Sequence, residues 1–169
     1  MRELYGYGAE PQIGDKIVGL KNHWDFMSDH HSPLTNGTIG TITSIYPRTL
    51  YYPYWITTKV IPAYMLTMAD ETGEFFYNVC MDKTCLTTGE GIMTPKELLK
   101  LKKNRKFVKT PPPYDFAYAY ALTVWKAQGS QWPKVVGFTE AFPQERELRK
   151  KFLYTLVTRA SEKLVIINN

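Results

Sequence analysis

Between Tyr120 and Val136 the chain reads "YALTVWKAQGSQWPKVV", an apolar run broken by Lys126, Gln128, Gly129, Ser130 and Gln131. These residue types suit a ligand. An ammonium meets an anion, a carboxamide both donates and accepts, and a glycine lets a ligand approach the backbone closely. The same stretch also reads as an ordinary loop between two buried strands, with the Thr123 hydroxyl capping the turn. A second set of cations is Lys102, Lys103, Arg105 and Lys106, followed by Lys109. It either complements the dipole at a helix C-terminus or forms a footprint for a polyanion. Arg159 is the third candidate. Taken alone, it is an exposed cation near the end of a helix.

Other chemistries are excluded or disfavoured. The two cysteines, Cys80 and Cys85, form no CxxC pair, and the three histidines, His23, His30 and His31, have no further ligands at metal spacing, so no metal site is expected. "YMLTMADE" looks like a Mg²⁺-binding strand ending in Asp70-Glu71. The Thr72-Gly73-Glu74 and aromatic strand that follow make it a hairpin instead. No G-x-x-x-x-G-K-[ST] loop occurs, so the chain has no backbone cradle for nucleotide phosphates and is not a complete ATPase. A net charge of +5 favours a polyanionic partner. No apolar stretch is long enough to span a membrane and the N-terminus has no signal pattern, so no membrane association and a cytoplasmic location are expected.

The elements that must position these groups change character along the chain. Residues 1–93 read as short strands and turns. They include "IGDKIVGLKN", the hairpin signal Asn36-Gly37, a strand from Thr38 to Tyr46, and a hairpin across Glu71-Thr72-Gly73. Ile39, Ile42 and Ile45 fall three apart, which calls for a bulge, expected at Gly40. A long loop is expected from Trp24 to Thr35 and another in "YPRTLYYPYW". Together these describe a small β-barrel. Residues 94–113 form a basic helix and a proline linker. Thr94, Pro95 and Glu97 make a capping box with Pro at the first helical position, which predicts a helix from about Pro95 to Lys103. Residues 114–169 read as β-α-β-α-β, with "YDFAYAYALTV" as its first strand, "VWKAQG" as a short helix or turn, and "KVVGFTE" as its second strand. "QERELRKKFLYTLVTRA" is the helix, on Leu148, Phe152, Leu156 and Ala160, and the near-continuous apolar "KLVII" is a parallel strand.

Two segments carry a family resemblance. "LTVWKAQGSQWPKVV" resembles helicase motif V, T-V-H-K-x-Q-G-S-E in the RecD- and Dda-like branch of superfamily 1, and "LYTLVTRASEKLVII" resembles motif VI, Y-x-A-x-T-R-A followed by a strand. "GDKIVGLKNHWD" with "LTNGTIGTITSI" looks like the SH3-like barrel inserted in the second motor domain of those enzymes. The resemblance implies the C-terminal segment of a DNA helicase. Its fold is α/β plus β: part of a RecA-like parallel sheet carrying motifs V and VI, and a small SH3-like β-barrel. It places Arg159 as an arginine finger and Gln128 and Gly129 at the nucleotide. Thr123, Lys126 and the cluster Lys102, Lys103, Arg105 and Lys106 fall on single-stranded DNA. ATP and Mg²⁺ would belong to the intact enzyme, whose upstream first RecA-like domain supplies the P-loop; this chain alone is expected to hold neither. Trp125 and Gln131 depart from the family, which often has His and Glu there. The competing expectation is a non-enzymatic module that binds single-stranded nucleic acid by charge and stacking.

Overall fold

The computed structural model describes residues 6, 8–139 and 142–167. The outermost ends of the segments expected over 1–93 and 114–169, and Glu140 of the expected strand "KVVGFTE", lie outside them. The chain divides into two units, 1–120 and 121–169.

In chain order the first unit holds β1 (Lys16–Gly19), β2 (His23–Met27), β3 (Pro33–Leu34), β4 (Ile39–Leu50), β5 (Ile61–Asp70) and β6 (Phe75–Asp82). The short α1 (Cys85–Thr88), α2 (Pro95–Lys103) and β7 (Phe116–Tyr118) follow. Five strands form one antiparallel sheet in the order β6-β5-β4-β1-β7, while β2 and β3 pair with each other. Part of the expected loop from Trp24 to Thr35 is therefore this small two-stranded sheet. The sheet encloses Ile17, Ile42, Leu66, Met68, Phe76 and Phe116, all buried.

Local code explains several of these elements. Asp70 Oδ1 accepts from Thr72 N, Thr72 Oγ1 and Glu74 N, and Gly73 takes a φ of 92° to close the β5–β6 turn. That carboxylate organises a hairpin. Gly37 also takes a φ of 92°, but the flanking strands β3 and β4 pair with β2 and with β1 and β5, so Asn36-Gly37 turns the chain without making a hairpin. The bulge in β4 falls at Thr43, between the paired Ile42 and Ser44, rather than at Gly40.

Tertiary pairing overrides the local pattern in two places. An open five-stranded sheet stands where a closed barrel was expected. Among the described residues one parallel bridge, Met81 to Tyr114, ties the β6 edge to the residues leading into β7. Tyr114 N donates to Cys80 O at 2.7 Å and Asp82 N to Tyr114 O at 3.0 Å. The strand expected to open the C-terminal segment belongs to this same sheet. Ile17, Val18 and Gly19 pair with Tyr118, Ala117 and Phe116, and the Phe116 ring is sealed in the first unit's core.

The second unit is a β-α-β crossover: β8 (Trp132–Phe138), α3 (Arg146–Val157) and β9 (Ala160–Ile167), with β8 and β9 parallel. No second helix forms at "VWKAQG", which is a run of turns. α3 buries Phe152 and Leu156. Gly137 permits this, because a Cβ there would come within 2.7 Å of Leu156 Cδ2. Val136, Phe138, Val165, Ile166 and Ile167 remain exposed on β8 and β9. Parallel strands are ordinarily covered on both faces, so this pair has the composition of strands from a larger sheet. Among the described residues, no helix is long and apolar enough to cross a membrane.

Phe116→Ala is expected to destabilise the first unit by about 3–5 kcal/mol, read from chemical denaturation. Phe107→Ala, at an exposed position, is expected to stay within about 0.5 kcal/mol.

Candidate nucleotide and nucleic-acid sites

In the second unit the polar turn is built from overlapping main-chain bonds. Ala127 N donates to Thr123 O (3.0 Å), Gln128 N to Trp125 O (3.3 Å) and Ser130 N to Ala127 O (3.2 Å). Thr123 Oγ1 accepts from Lys126 N at 3.3 Å, so its hydroxyl oxygen caps the turn. Gly129 sits at a φ of 96°, a left-handed conformation that favours glycine. A Cβ on it would meet nothing within 4 Å. Its constraint is therefore conformational, and the space beside it is open. Gln128, Gly129, Lys126 and Thr123 are all exposed, while Ala127 is buried.

Arg159 is the group that joins this turn to the helix. It follows the end of α3, and its guanidinium points back. Nε donates to Thr155 O (3.0 Å), Nη1 to Ala127 O (3.2 Å) and Ser130 O (2.6 Å), and Nη2 to Thr158 Oγ1 (2.9 Å). A guanidinium has five N–H groups, and four are engaged in these bonds. Two of the acceptors bracket Gln128 and Gly129. The main chain repeats the tie, with Trp132 N donating to Arg159 O at 2.8 Å. Both the helix-end role and the proximity to the turn are thus present in one side chain. Sequence reasoning placed Arg159 and the turn in separate motifs; it did not find the bonds between them.

The two family departures have local partners. The Trp125 ring meets Phe152 of α3 edge-on at 5.9 Å, which seats the turn against the helix. Gln131 Nε2 reaches toward Thr158 O at 3.5 Å. A carboxylate at that position would have no proton to offer a carbonyl.

In the first unit, α2 starts as its sequence dictates: Glu97 N donates to Thr94 Oγ1 (3.3 Å) and Thr94 N to Glu97 Oε2 (2.7 Å). Glu97 does more than cap. Thr57 Oγ1 donates to its Oε1 (2.7 Å) and Lys59 Nζ to its Oε2 (3.3 Å), which pins the 51–60 loop to the helix. Thr110 Oγ1 to Tyr51 O (2.9 Å) and Tyr52 OH to Pro111 O (2.5 Å) pin the same loop to the segment after α2. The result places exposed Tyr51, Tyr54 and Phe107, the last two more than 80% and about 80% accessible, on segments adjoining exposed Lys102, Lys103, Lys106 and Lys109. Arg105 is partly committed to its own loop, with Nη1 donating to Val108 O (2.9 Å) and Thr110 O (2.7 Å). Residues 94–110 carry seven cations and one carboxylate, more positive charge than the whole chain's net +5. Tyr51 and Tyr54 lie about fifty residues upstream of this cluster in the chain, and the ties from Glu97, Thr110 and Tyr52 reveal them.

Asp82, Cys85 and Asp115 bring metal-ligand atoms together in the first unit's interior. Their oxygens are already in use. Asp82 accepts from Thr84 N, Thr84 Oγ1 and Ile92 N, and Asp115 from Cys85 Sγ and the Lys21 ammonium. The cluster is a polar knot that fixes the chain after β6. Burial pushes the Cys80 thiol up to about 12, and burial with the Asp115 hydrogen bond pushes Cys85 up as well, so both thiols are poor nucleophiles.

Comparison with known proteins bears on the second unit. Residues 118–167 match the UvrD-like helicase C-terminal domain. The resemblance of this segment to the C-terminal region of superfamily 1 helicases therefore holds. No curated protein matches the chain. Among solved structures, the Pif1 helicase from Candida albicans has 20% identity and a TM-score of 0.49, over 94% of this chain and 32% of that one. The Pif1 helicase from Bacteroides, in complex with ADP-AlF3 and ssDNA, has 14% identity and a TM-score of 0.47, over 93% and 29%. This chain spans about a third of the length of either structure.

Burial alone would raise the Glu97 carboxyl, but donation from Thr57, Thr94 and Lys59 outweighs it and holds the group at about 2, against an ordinary 4.5. A depressed carboxyl stabilises the fold fully above its unfolded value and loses that contribution as pH falls through the folded one. The stability gap between wild type and Glu97→Gln is therefore expected to narrow from about pH 4.5 down to about pH 2, measured by denaturation midpoints at each pH.

Proposed function

We propose that this chain is the C-terminal part of an ATP-dependent DNA helicase of the RecD/Dda type. In this reading its first unit is an SH3-like DNA-contacting subdomain and its second unit part of the second RecA-like motor domain. The observation that carries this reading is the motif V turn bonded to the motif VI arginine, within a β-α-β unit that matches the helicase domain. The exposed apolar strands β8 and β9 support it, since a RecA-like sheet would supply the neighbours they are composed to meet.

The division of labour follows from the chemistry. Arg159 is always charged and suits phosphate oxygens; with Gln128 and Gly129 it would face the nucleotide. When bound, ATP with Mg²⁺ supplies the free energy for movement. The sequence has no P-loop, so the phosphate cradle and the Mg²⁺ ligands fall to an upstream first RecA-like domain, the partner this reading requires. The chain's own residues orient the turn, and Lys126 and Thr123 lie beside it for a DNA phosphate.

Single-stranded DNA also fits the first unit. A basic groove lined with aromatic rings binds a single strand by charge and base stacking. Tyr51, Tyr54 and Phe107 beside Lys102, Lys103 and Lys106 have that composition. The chain is expected to bind an oligothymidylate in fluorescence anisotropy, with affinity falling steeply as salt rises. Tyr54→Ala and Phe107→Ala are each expected to weaken binding by about 1–3 kcal/mol, without the loss of stability that would explain it trivially. Salt-independent binding, or equal affinity in both variants, would remove the DNA role of this surface.

A further inference from the structure

We propose that Arg159 is a latch on the Ala127–Ser130 turn as well as a phosphate-facing group, and that a phosphate anion competes with the turn for it. The inference rests on the nucleotide-facing reading of Arg159 and deepens it. Three observations carry it. The guanidinium is half-buried, and four of its N–H groups are committed within the unit. Two of those bonds hold the carbonyls of Ala127 and Ser130, the residues on either side of Gln128 and Gly129. Beyond its own main-chain bonds the turn between them is lightly held: Gln128, Gly129 and Lys126 are exposed, and nothing lies within 4 Å of the Gly129 Cβ position.

The two uses of the side chain exclude one another. Binding a phosphate in a fork takes a pair of guanidinium N–H groups, and only one is outside the four bonds. A phosphate therefore has to draw at least one Nη away from the carbonyls. The bonds to Ala127 and Ser130 are the ones that reach across to the turn, about thirty residues away in the chain, whereas Thr155 and Thr158 stay with Arg159 at the end of α3. Losing the former frees the turn and leaves the helix end intact. Trp125 on Phe152 and the Trp132-to-Arg159 main-chain bond act as hinges on either side, so that the 127–131 segment moves and its flanks do not. Phosphate arrival at one side chain is thereby converted into motion of the turn that carries Gln128 and Gly129. No covalent step is involved; one set of acceptors is exchanged for another.

The test is hydrogen exchange by NMR on the 169-residue chain. In Arg159→Ala, the main-chain amide of Ser130, which is bonded to Ala127 O, is expected to exchange at least about 10-fold faster, while amides of β8 and β9 keep their protection. Arg159→Lys is expected to open the turn too, because an ammonium lacks the fork. An unchanged Ser130 amide in both variants overturns the latch. Should the substitutions unfold the unit, wild type decides. Inorganic phosphate, titrated against chloride at matched ionic strength, is expected to shift the Arg159 Nε–H signal and to speed exchange at Ser130 in parallel. An Nε–H signal that ignores phosphate, or that moves while the turn stays closed, overturns the competition. None of these readouts needs ATP turnover. A turn that opens as expected beside a helicase indifferent to Arg159 keeps the latch and discards the nucleotide-facing reading.

Discussion

The guanidinium of Arg159 is the contact that ties the polar turn of the second unit to the end of α3. This side chain, just past the end of α3, bonds two carbonyls of the turn that carries Gln128 and Gly129, with Lys126 and Thr123 just before them. Arginine fits the task for a physical reason. Its planar fork meets several carbonyls at fixed angles and keeps its charge at any working pH. Bonds to a charged donor are also stronger than neutral ones. The turn is therefore held by an interaction that only another anionic or strongly accepting group can displace.

The first unit applies the same economy with a carboxylate. Glu97 caps α2 and also binds Thr57 and Lys59, so one residue both starts the basic helix and fixes the aromatic loop beside it. This tie holds the 51–60 loop, with its exposed Tyr51 and Tyr54, against the start of the basic helix. Neither alone distinguishes a nucleic-acid site from a solvated face. Glu97 and Arg159 play parallel parts in their separate units: each uses multidentate geometry to bind a segment distant in sequence, and each leaves exposed the groups that would meet a polyanion.

What was legible in the sequence was what local rules determine. The Thr94–Pro95–Glu97 cap gave α2 its start and extent, Gly73 and Asp70 gave the β5–β6 turn, and of the four residues spaced for the stripe of α3 Phe152 and Leu156 are buried, whereas Leu148 is exposed and Ala160 begins β9. The resemblance to motifs V and VI drew attention to the turn and to Arg159, which the structure bonds together. What was not legible was pairing over distance. "YDFAYAYALTV" has strand character, but nothing local says that Phe116 seals the first unit's core and pairs with β1. Asn36-Gly37 turns the chain, yet the partners of β3 and β4 are chosen elsewhere in the sheet. The bulge at Thr43 depends on the register with β5. The direction of the Arg159 side chain depends on the turn being folded beside it, so a one-dimensional motif holds the residue but not its bonds.

The central proposal, that Arg159 links nucleotide to the rest of this segment, is tested most directly by DNA-stimulated ATP hydrolysis in the longer protein that the helicase reading requires. With Arg159→Ala, hydrolysis is predicted to fall by about 10³-fold or more while single-stranded DNA binding persists. Hydrolysis near the wild-type rate, in a variant that still folds and binds DNA, would contradict the account.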